Sequence, residues 1–391
     1  MNFVAADLGA SSTRYVSNNG EIKVLPNNVV YVAEDAVVDQ EPYSSEIEAA
    51  LDVSITCDNG SEFFPVRVLM GQMATRYSPT NVRPSVMSNK HTQQINYIST
   101  VMATALSKMA YGLEEDIDVY LALPPIEVKT AKEIVSKNLV GSYTVKFHKL
   151  NDLEVKFRIN NVGIYEESFM AMLAYFFNMN GTIRESAKRF ATGSVLSMDI
   201  GASTTDLAVV QNMQYLEKSG QTYKTGGNIA RDLLTNYFRG EYGFDVPAEM
   251  AELAMAEGRI QMGNTYQDCS EEVNKAKKEF AAQIVEQIQT YFRMINVPIQ
   301  TIRAIVVSGG GSMESFYIGD DGQEVHTSKP ISDFITEELN KVCPGVVVEQ
   351  FASGPRLANI MGLFIRANID MHRKQAMMKA KTSENVANIQ L

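Results

Sequence analysis

The chain has 391 residues, 45% of them hydrophobic, which is enough to build two domains of ordinary size with real cores. Its formal net charge of −11 excludes broad phosphate-backbone binding to nucleic acid by the body of the protein. No apolar stretch reaches the roughly 18 residues needed to span a bilayer.

Residues 1–33 alternate and turn like a β-meander, with strands expected at Phe3–Ala6, Thr13–Ser17 and Ile22–Leu25 around the Asn18-Asn19-Gly20 turn signal. The mixed stretch 31–84 reads as a smaller inserted subdomain with a hairpin turn at Cys57-Asp58-Asn59-Gly60. Helical spacing of Ile95, Ile98, Met102, Leu106 and Met109 predicts a helix over 93–111. A buried strand is expected at Asp118–Leu123, stopped by Pro124-Pro125. A helix follows over Glu127–Leu139, and then a strand over Val145–Phe157. Ile164 to Ala171 begins a further helix.

The second half repeats the plan. Strands are expected at Val195–Met198 and Leu207–Val210, and a helix after Gly226-Gly227 through Phe238. Helical patterns cover Ala248–Met262 and Glu271–Met294, the latter with Val273, Phe280, Ile284, Ile288 and Tyr291 on one face. A hydrophobic strand at 302–307 ends in Ser308-Gly309-Gly310-Gly311-Ser312, and a last strand at Val346–Val348 leads to a helix over Arg356 to Ile369. The tail 372–391 is polar and is expected to fray or to serve as an interaction segment. The scattered cysteines Cys57, Cys269 and Cys343 form no CxxC and read as reduced thiols, consistent with a cytoplasmic protein. The N-terminus enters a strand pattern at once, so no secretory signal is expected. The four histidines show no metal-site spacing.

One phrase occurs twice: Asp7-Leu8-Gly9-Ala10-Ser11-Ser12-Thr13 returns 192 residues later as Asp199-Ile200-Gly201-Ala202-Ser203-Thr204-Thr205, five of the seven positions being identical. A glycine directly after a strand lets backbone N–H groups approach an anion closely, and the Ser and Thr hydroxyls add donors. An aspartate beside a phosphate makes sense when a hydrated divalent cation sits between them. Two such turns in similar halves suggest a clamp on one polyphosphate with its Mg²⁺. The glycine-rich Gly309-Gly310-Gly311-Ser312 turn and Gly226-Gly227 suit close contact with a nucleoside. Glu166-Glu167 begins a helix, where acids complement the dipole; the functional alternative is that one of them orients the water that attacks a γ-phosphate.

The ordered series Asp7-x-Gly9, Glu167, Asp199-x-Gly201-x-x-Thr204-x-Asp206, Ser308-Gly309-Gly310-Gly311-Ser312 and Pro355-x-x-Ala358-Asn359-x-x-Gly362 spans nearly the whole chain. It resembles the actin, sugar-kinase and heat-shock-chaperone ATPase superfamily. Within it, the strand ending in Leu123-Pro124 and the Glu167-Ser168-x-x-Ala171 helix are similar to the bacterial actin-like ParM group, which segregates plasmids. The resemblance implies an α/β, actin-like fold of two related ribonuclease-H-like domains with a nucleotide cleft between them. Domain I would cover 1–161, completed by a C-terminal helix at 355–391, and domain II would cover 162–354 with a helical subdomain at 226–300.

The resemblance also implies roles. Asp7 and Asp199 would hold Mg²⁺ through water, with Asp199 also counted as catalytic beside Glu167, which would position the attacking water. Gly9, Ala10, Ser11 and Ser12 would bind phosphates, as would Gly201, Ala202, Ser203 and Thr204. Arg14 stands where related proteins commonly carry a lysine; its guanidinium can take phosphate bidentately but is longer and planar. Gly227, Gly309, Gly310, Gly311 and Ser312 would frame the nucleoside. Glu257 and Arg259 fall near the family's ribose and adenine contacts, but a solvated helix face is the better reading of that pair. The implied activity is an ATPase, with GTP also compatible, whose hydrolysis is coupled to assembly of a polar filament of the chain itself. A DNA-binding adaptor protein would meet the filament end, with no direct nucleic acid contact and no membrane. A small-molecule kinase of the same superfamily is the alternative, as is a phage or cell-shape actin homologue.

Overall fold

The computed structural model describes residues 2–10, 12–39, 41–42, 47, 50–78, 89–243, 245–319, 322–352 and 354–389. The chain divides into two compact units, Met1–Thr182 with Asn359–Leu391, and Ile183–Ala358.

In the first unit, Phe3, Val4, Ala5 and Ala6 are all buried, because β1 (Asn2–Leu8) runs through the middle of a sheet covered by helices. The meander continues as β2 (Ser12–Ser17) and β3 (Ile22–Pro26), both antiparallel, as their alternation predicts. Next come β4 (Val29–Val32), β5 (Asp52–Cys57), β6 (Val66–Met70) and α1 (Gln72–Tyr77). Helix α2 (Gln94–Tyr111) precedes β7 (Asp116–Leu123), and Pro124-Pro125 turns the chain into α3 (Pro125–Leu139). Strands β8 (Gly141–Phe147) and β9 (Leu153–Glu166) lead to α4 (Glu167–Phe176).

The nine strands are ordered β3-β2-β1-β7-β9-β8-β5-β6-β4. Pairing of β1 with β7 and of β7 with β9 is parallel, and the other pairings are antiparallel. One expectation is corrected here. The single strand expected at Val145–Phe157 is a hairpin, whose turn places Asn151 and Asp152 at positive φ. In the stretch 31–84, β4, β5 and β6 join the same sheet through β8, while Val30, Val38, Leu69, Met73 and Ala74 form a small core cluster of their own. Positions 79–88 of that stretch lie outside the described residues.

The second unit holds β10 (Ser194–Ile200), β11 (Thr205–Gln211), β12 (Gln214–Tyr215) and β13 (Gln221–Tyr223). Helices α5 (Asn228–Tyr242) and α6 (Ala248–Glu257) follow, then β14 (Arg259–Met262), β15 (Thr265–Asp268) and α7 (Ser270–Met294). The unit closes with β16 (Ile302–Ser308), β17 (Ser315–Ile318), β18 (Glu324–Ser328), α8 (Ile331–Leu339) and β19 (Val347–Gln350). Its main sheet is ordered β12-β11-β10-β16-β19, with β10, β16 and β19 parallel. This is the pattern of β3-β2-β1-β7-β9, so the doubled phrase marks a doubled ribonuclease-H-like core.

The helix expected over Ala248–Met262 stops at Gly258, which takes φ 69° and turns the chain into the β14–β15 hairpin. The 226–300 region therefore includes a β-ribbon among its helices. Strand β9 runs through the expected division at 161/162, so the break between units falls after Thr182. Residues 372–389 of the polar tail continue α9 (Ala358–Ile389).

Helix α9 returns to the first unit through Gly362. A Cβ there would lie 1.9 Å from the Met170 carbonyl oxygen, so only glycine lets α9 approach α4. Farther out in this unit, Asp52 and Arg67 form a buried bidentate pair with two 3.0 Å bonds, and Arg67 also donates to the Glu34 and Ala36 carbonyls at 2.7 and 2.9 Å. Removing one buried partner strands the other charge. Arg67→Met is expected to cost about 3–5 kcal/mol in urea unfolding, and Arg67→Met/Asp52→Leu to recover most of it. A double variant as unstable as the single one contradicts this account.

Candidate functional site

Parallel strands send their carboxyl ends to one edge of a sheet, where open α/β sheets form their binding crevices. In the first unit, Asp7 of β1 stands level with Ala122 of β7, and Ala122 with Tyr165 of β9. Asp7, Pro124 and Glu167 therefore emerge at the same edge. Asp7 is 6% exposed. Burial pushes its carboxyl above the usual range, while the charges of Lys90 and then Arg14 pull it back.

The turn after Asp7 closes on itself: the Gly9 N–H donates to the Asp7 and Ser12 carbonyls at 3.2 and 3.1 Å. A Cβ on Gly9 would lie 2.7 Å from the Ser12 carbonyl oxygen, so the turn requires glycine. Asn27, fully buried, braces the loop from behind. Its Nδ2 donates to the Gly9 carbonyl at 2.6 Å, and its Oδ1 accepts from Thr13 and Ser99 at 2.8 and 2.9 Å. Arg14 lies opposite Asp7 across the β1–β2 ladder, its Nη1 3.9 Å from Asp7 Oδ2. Ala10 sits half-buried in the turn and Ser12 starts β2; Ser11 lies outside the described residues.

Glu166 ends β9 half-buried, whereas Glu167 opens α4 and is buried. Lys90 reaches Glu167, with Nζ 2.5 Å from Oε1 and side-chain exposures of 4% and 8%. Local sequence pattern shows neither this lysine nor Asn27; each depends on a partner far along the chain.

In the second unit, β10 carries Asp199, also 6% exposed, level with Ser308 of the parallel strand β16. Ser308 Oγ donates to Asp199 Oδ1 at 3.3 Å. The turn 201–204 is closed by the Gly201 N–H donating to the Thr204 carbonyl at 2.8 Å. Two further segments fold against it. The Gly227 N–H donates to the Gly201 carbonyl at 2.9 Å, and the Asn228 N–H to the Ala202 carbonyl at 2.8 Å. Asn228 Nδ2 also donates to Ser203 Oγ at 3.2 Å.

Glycine is required at three positions of this cradle. A Cβ on Gly226 would lie 2.6 Å from the Ala202 carbonyl oxygen, and one on Gly311 2.7 Å from that of Gly201. Gly309 takes φ 89°, and its Cβ would meet the Ile200 carbonyl oxygen at 2.3 Å and Asp199 Oδ1 at 2.4 Å. Ser312 Oγ donates back to the Gly309 carbonyl at 2.7 Å, which closes the Gly310–Ser312 turn. Backbone amides, the N-terminus of α5 and a buried carboxylate thus gather at one edge, a set suited to an anion and its counter-cation.

Glu257 and Arg259 do not lie on one helix face as expected. Glu257 ends α6 and Arg259 starts β14, where Nε donates to Glu257 Oε2 at 2.8 Å and the guanidinium lies 4.2 and 3.8 Å from the Tyr266 and Tyr317 ring centres. Among the described residues no three or more His, Cys, Asp or Glu side chains gather into a direct metal cage. Single buried carboxylates beside phosphate-binding turns fit hydrated Mg²⁺, which takes one or two carboxylates and fills its shell with water and phosphate oxygens. Asp7 in the first unit and Asp199 in the second are each a carboxylate of that kind, and such an ion would neutralise phosphate charge.

Residues 5–169 match the family model described as the N-terminal domain of actin-like proteins, and residues 197–315 match the C-terminal model of the archaeal actin homologue MreB-like family. No curated protein sequence matches the chain. The archaeal actin homologue Ta0583 superposes with a TM-score of 0.66 at 18% identity, covering 95% of this chain and 100% of its own. The actin-like protein Alp7A gives 0.70 at 18% identity, covering 97% and 98%. Bacillus thuringiensis ParM, solved with ATP, gives 0.61 at 16% identity, covering 95% and 99%. At these identities the likeness is one of fold.

The cradle clash can be tested by comparing two glycines that both take positive φ. Gly60 has φ 69° and nothing within 4 Å of its Cβ position, whereas Gly309 has the contacts above. Both alanine substitutions carry backbone strain of about 1–3 kcal/mol, so Gly309→Ala is expected to lower the urea midpoint clearly further than Gly60→Ala. Equal losses would show that the cradle is not closely packed.

Proposed function

We propose, on the premise that this chain belongs to the actin-like proteins, that it is a nucleotide-dependent, filament-forming ATPase. It binds ATP with Mg²⁺ through the two aspartate–glycine loops, polymerises in that state, and is destabilised as a polymer by hydrolysis. The observation that carries this reading is the repeated edge: in each unit a buried aspartate ends a central strand and is followed by a turn in which the first glycine's N–H is tied down. That arrangement suits a phosphate chain and its cation.

Glu167 is the water-positioning residue in this proposal. Its carboxylate accepts a hydrogen bond from the attacking water. The water oxygen bonds to the γ-phosphorus as the bond to the bridging oxygen breaks, and the proton leaves through the carboxylate to the phosphate product. The glycine cradle of the second unit takes the nucleoside side, where Gly227 and Gly309–Ser312 admit a flat ring against backbone. Asp199 shares the Mg²⁺ shell. The chain's formal charge of −11 fits a motor that reaches DNA through an adaptor protein and not by direct contact, and we propose plasmid segregation as the task. No helix among the described residues is long and apolar enough to cross a membrane.

Phosphate release and pelleting should be followed together with ATP, GTP, ADP and a non-hydrolysable ATP analogue. ATP and the analogue are expected to give polymer, and ADP is not. Glu167→Ala is expected to lose about 100-fold or more in kcat while still pelleting with ATP. Hydrolysis without polymer at any protein concentration would remove the filament reading. Hydrolysis by Glu167→Ala at the wild-type rate would remove Glu167 from its role, and phosphorylation of glycerol or a sugar would favour a kinase.

A further inference from the structure

We infer that Lys90 is a positioning residue for hydrolysis, holding the Glu167 carboxylate in the orientation that directs the attacking water; this rests on the role proposed for Glu167. A glutamate at the first position of a helix swings on three side-chain torsions, and catalytic geometry tolerates little of that freedom. The 2.5 Å contact from Lys90 Nζ to Oε1 removes it.

The lysine is itself held at its root. The N–H groups of Lys90 and His91 donate to the two oxygens of Glu127, at 3.0 and 3.1 Å. His91 Nδ1 lies 2.9 Å from Glu127 Oε2. The Lys90 carbonyl accepts from Asn96 Nδ2 at 2.9 Å, and the His91 carbonyl from the Tyr97 hydroxyl at 2.6 Å. All four backbone polar groups of the two residues are therefore tied to α2 or α3. Glu127, itself buried, comes into place because Pro124-Pro125 starts α3 immediately after β7. The Leu-Pro turn thus acts on Glu167 through a relay, from Glu127 to the 90–91 backbone to Lys90.

The surroundings favour a strong interaction. Lys90 lines a cavity of about 10 Å³ together with Leu8, Tyr97, Leu121 and Leu123, room for one water at most. A buried ion pair contributes little net stability compared with apolar residues of the same shape, so stability alone is a poor reason for this one. Its place at the edge that carries both Asp7 and Glu167 points to orientation of the reacting groups. A lysine that instead bound the γ-phosphate directly would act on nucleotide affinity, which separates the two roles.

The test measures kcat and KM for ATP by phosphate release, with binding of a fluorescent ATP analogue and thermal unfolding alongside. Lys90→Met is expected to lower kcat by about tenfold or more with KM within about threefold of wild type, and Lys90→Arg to restore much of the loss. At saturating Mg²⁺, Lys90→Met/Glu167→Gln is expected to be no slower than Glu167→Gln alone, since the lysine's effect on turnover runs through Glu167 while its charge on Asp7 bears on cation affinity. This double variant removes both charges together, so it serves even if Lys90→Met fails to fold. Wild-type kcat in Lys90→Met, a change confined to KM, or multiplied losses in the double variant would overturn the inference. A wild-type protein that binds ATP without hydrolysing it would overturn the role of Glu167 instead.

Discussion

Parallel pairing of β1 with β7 and of β7 with β9, matched by β10 with β16 and β16 with β19, governs where polar groups can gather in this protein. A central strand covered on both faces must be apolar along its length, so its first opportunity to become polar is its carboxyl end. Asp7 and Asp199 take those two places, each 6% exposed. In the turn after Asp7 there is no room for a side chain at Gly9, and in both turns the first glycine's N–H is directed by a local hydrogen bond. The rest of each edge is organised around that pairing of a buried carboxylate with a glycine turn.

The two edges share topology but not electrostatics. In the first unit, cations surround the aspartate: Lys90 and Arg14 offset the burial of Asp7, and Lys90 also pairs with Glu167. In the second unit, Asp199 meets the hydroxyl of Ser308, and Asp206 stands beside it across the β10–β11 ladder, accepting from Thr222 at 2.6 Å. The first edge is lined by paired charged side chains, and the second is a surface of bare backbone. One doubled topology thus carries two different edges, charged side chains distinguishing one copy and glycines the other.

Several family-like motifs also acquire plain mechanical reasons. The Leu-Pro-Pro turn delivers Glu127 to the backbone that carries Lys90. Gly362 lies where α9 meets α4, and a Cβ there would run into the Met170 carbonyl. Such positions look like signatures in a sequence because a close backbone approach tolerates one residue type.

Much of this could be read without coordinates. Strand and helix patterns placed β1, β2, β7, α2, β10 and α7 within a few residues, because apolar periodicity is a local property of a chain segment. Glycines after strands and the order of the acidic turns revealed the repeat. Other elements could not be read: the β8–β9 hairpin was taken for one strand because its turn hides Asn151 and Asp152 in a polar run, and β17, β18 and α8 carry weak patterns. The sequence by itself determined that two similar halves each end a buried strand in an aspartate and a glycine turn. Only the tertiary structure decided that Lys90 meets Glu167 across 77 positions, that Glu127 and Asn27 brace the loops, and that Gly362 faces Met170. Burial and charge pairing arise between segments distant in sequence, so no local window contains them.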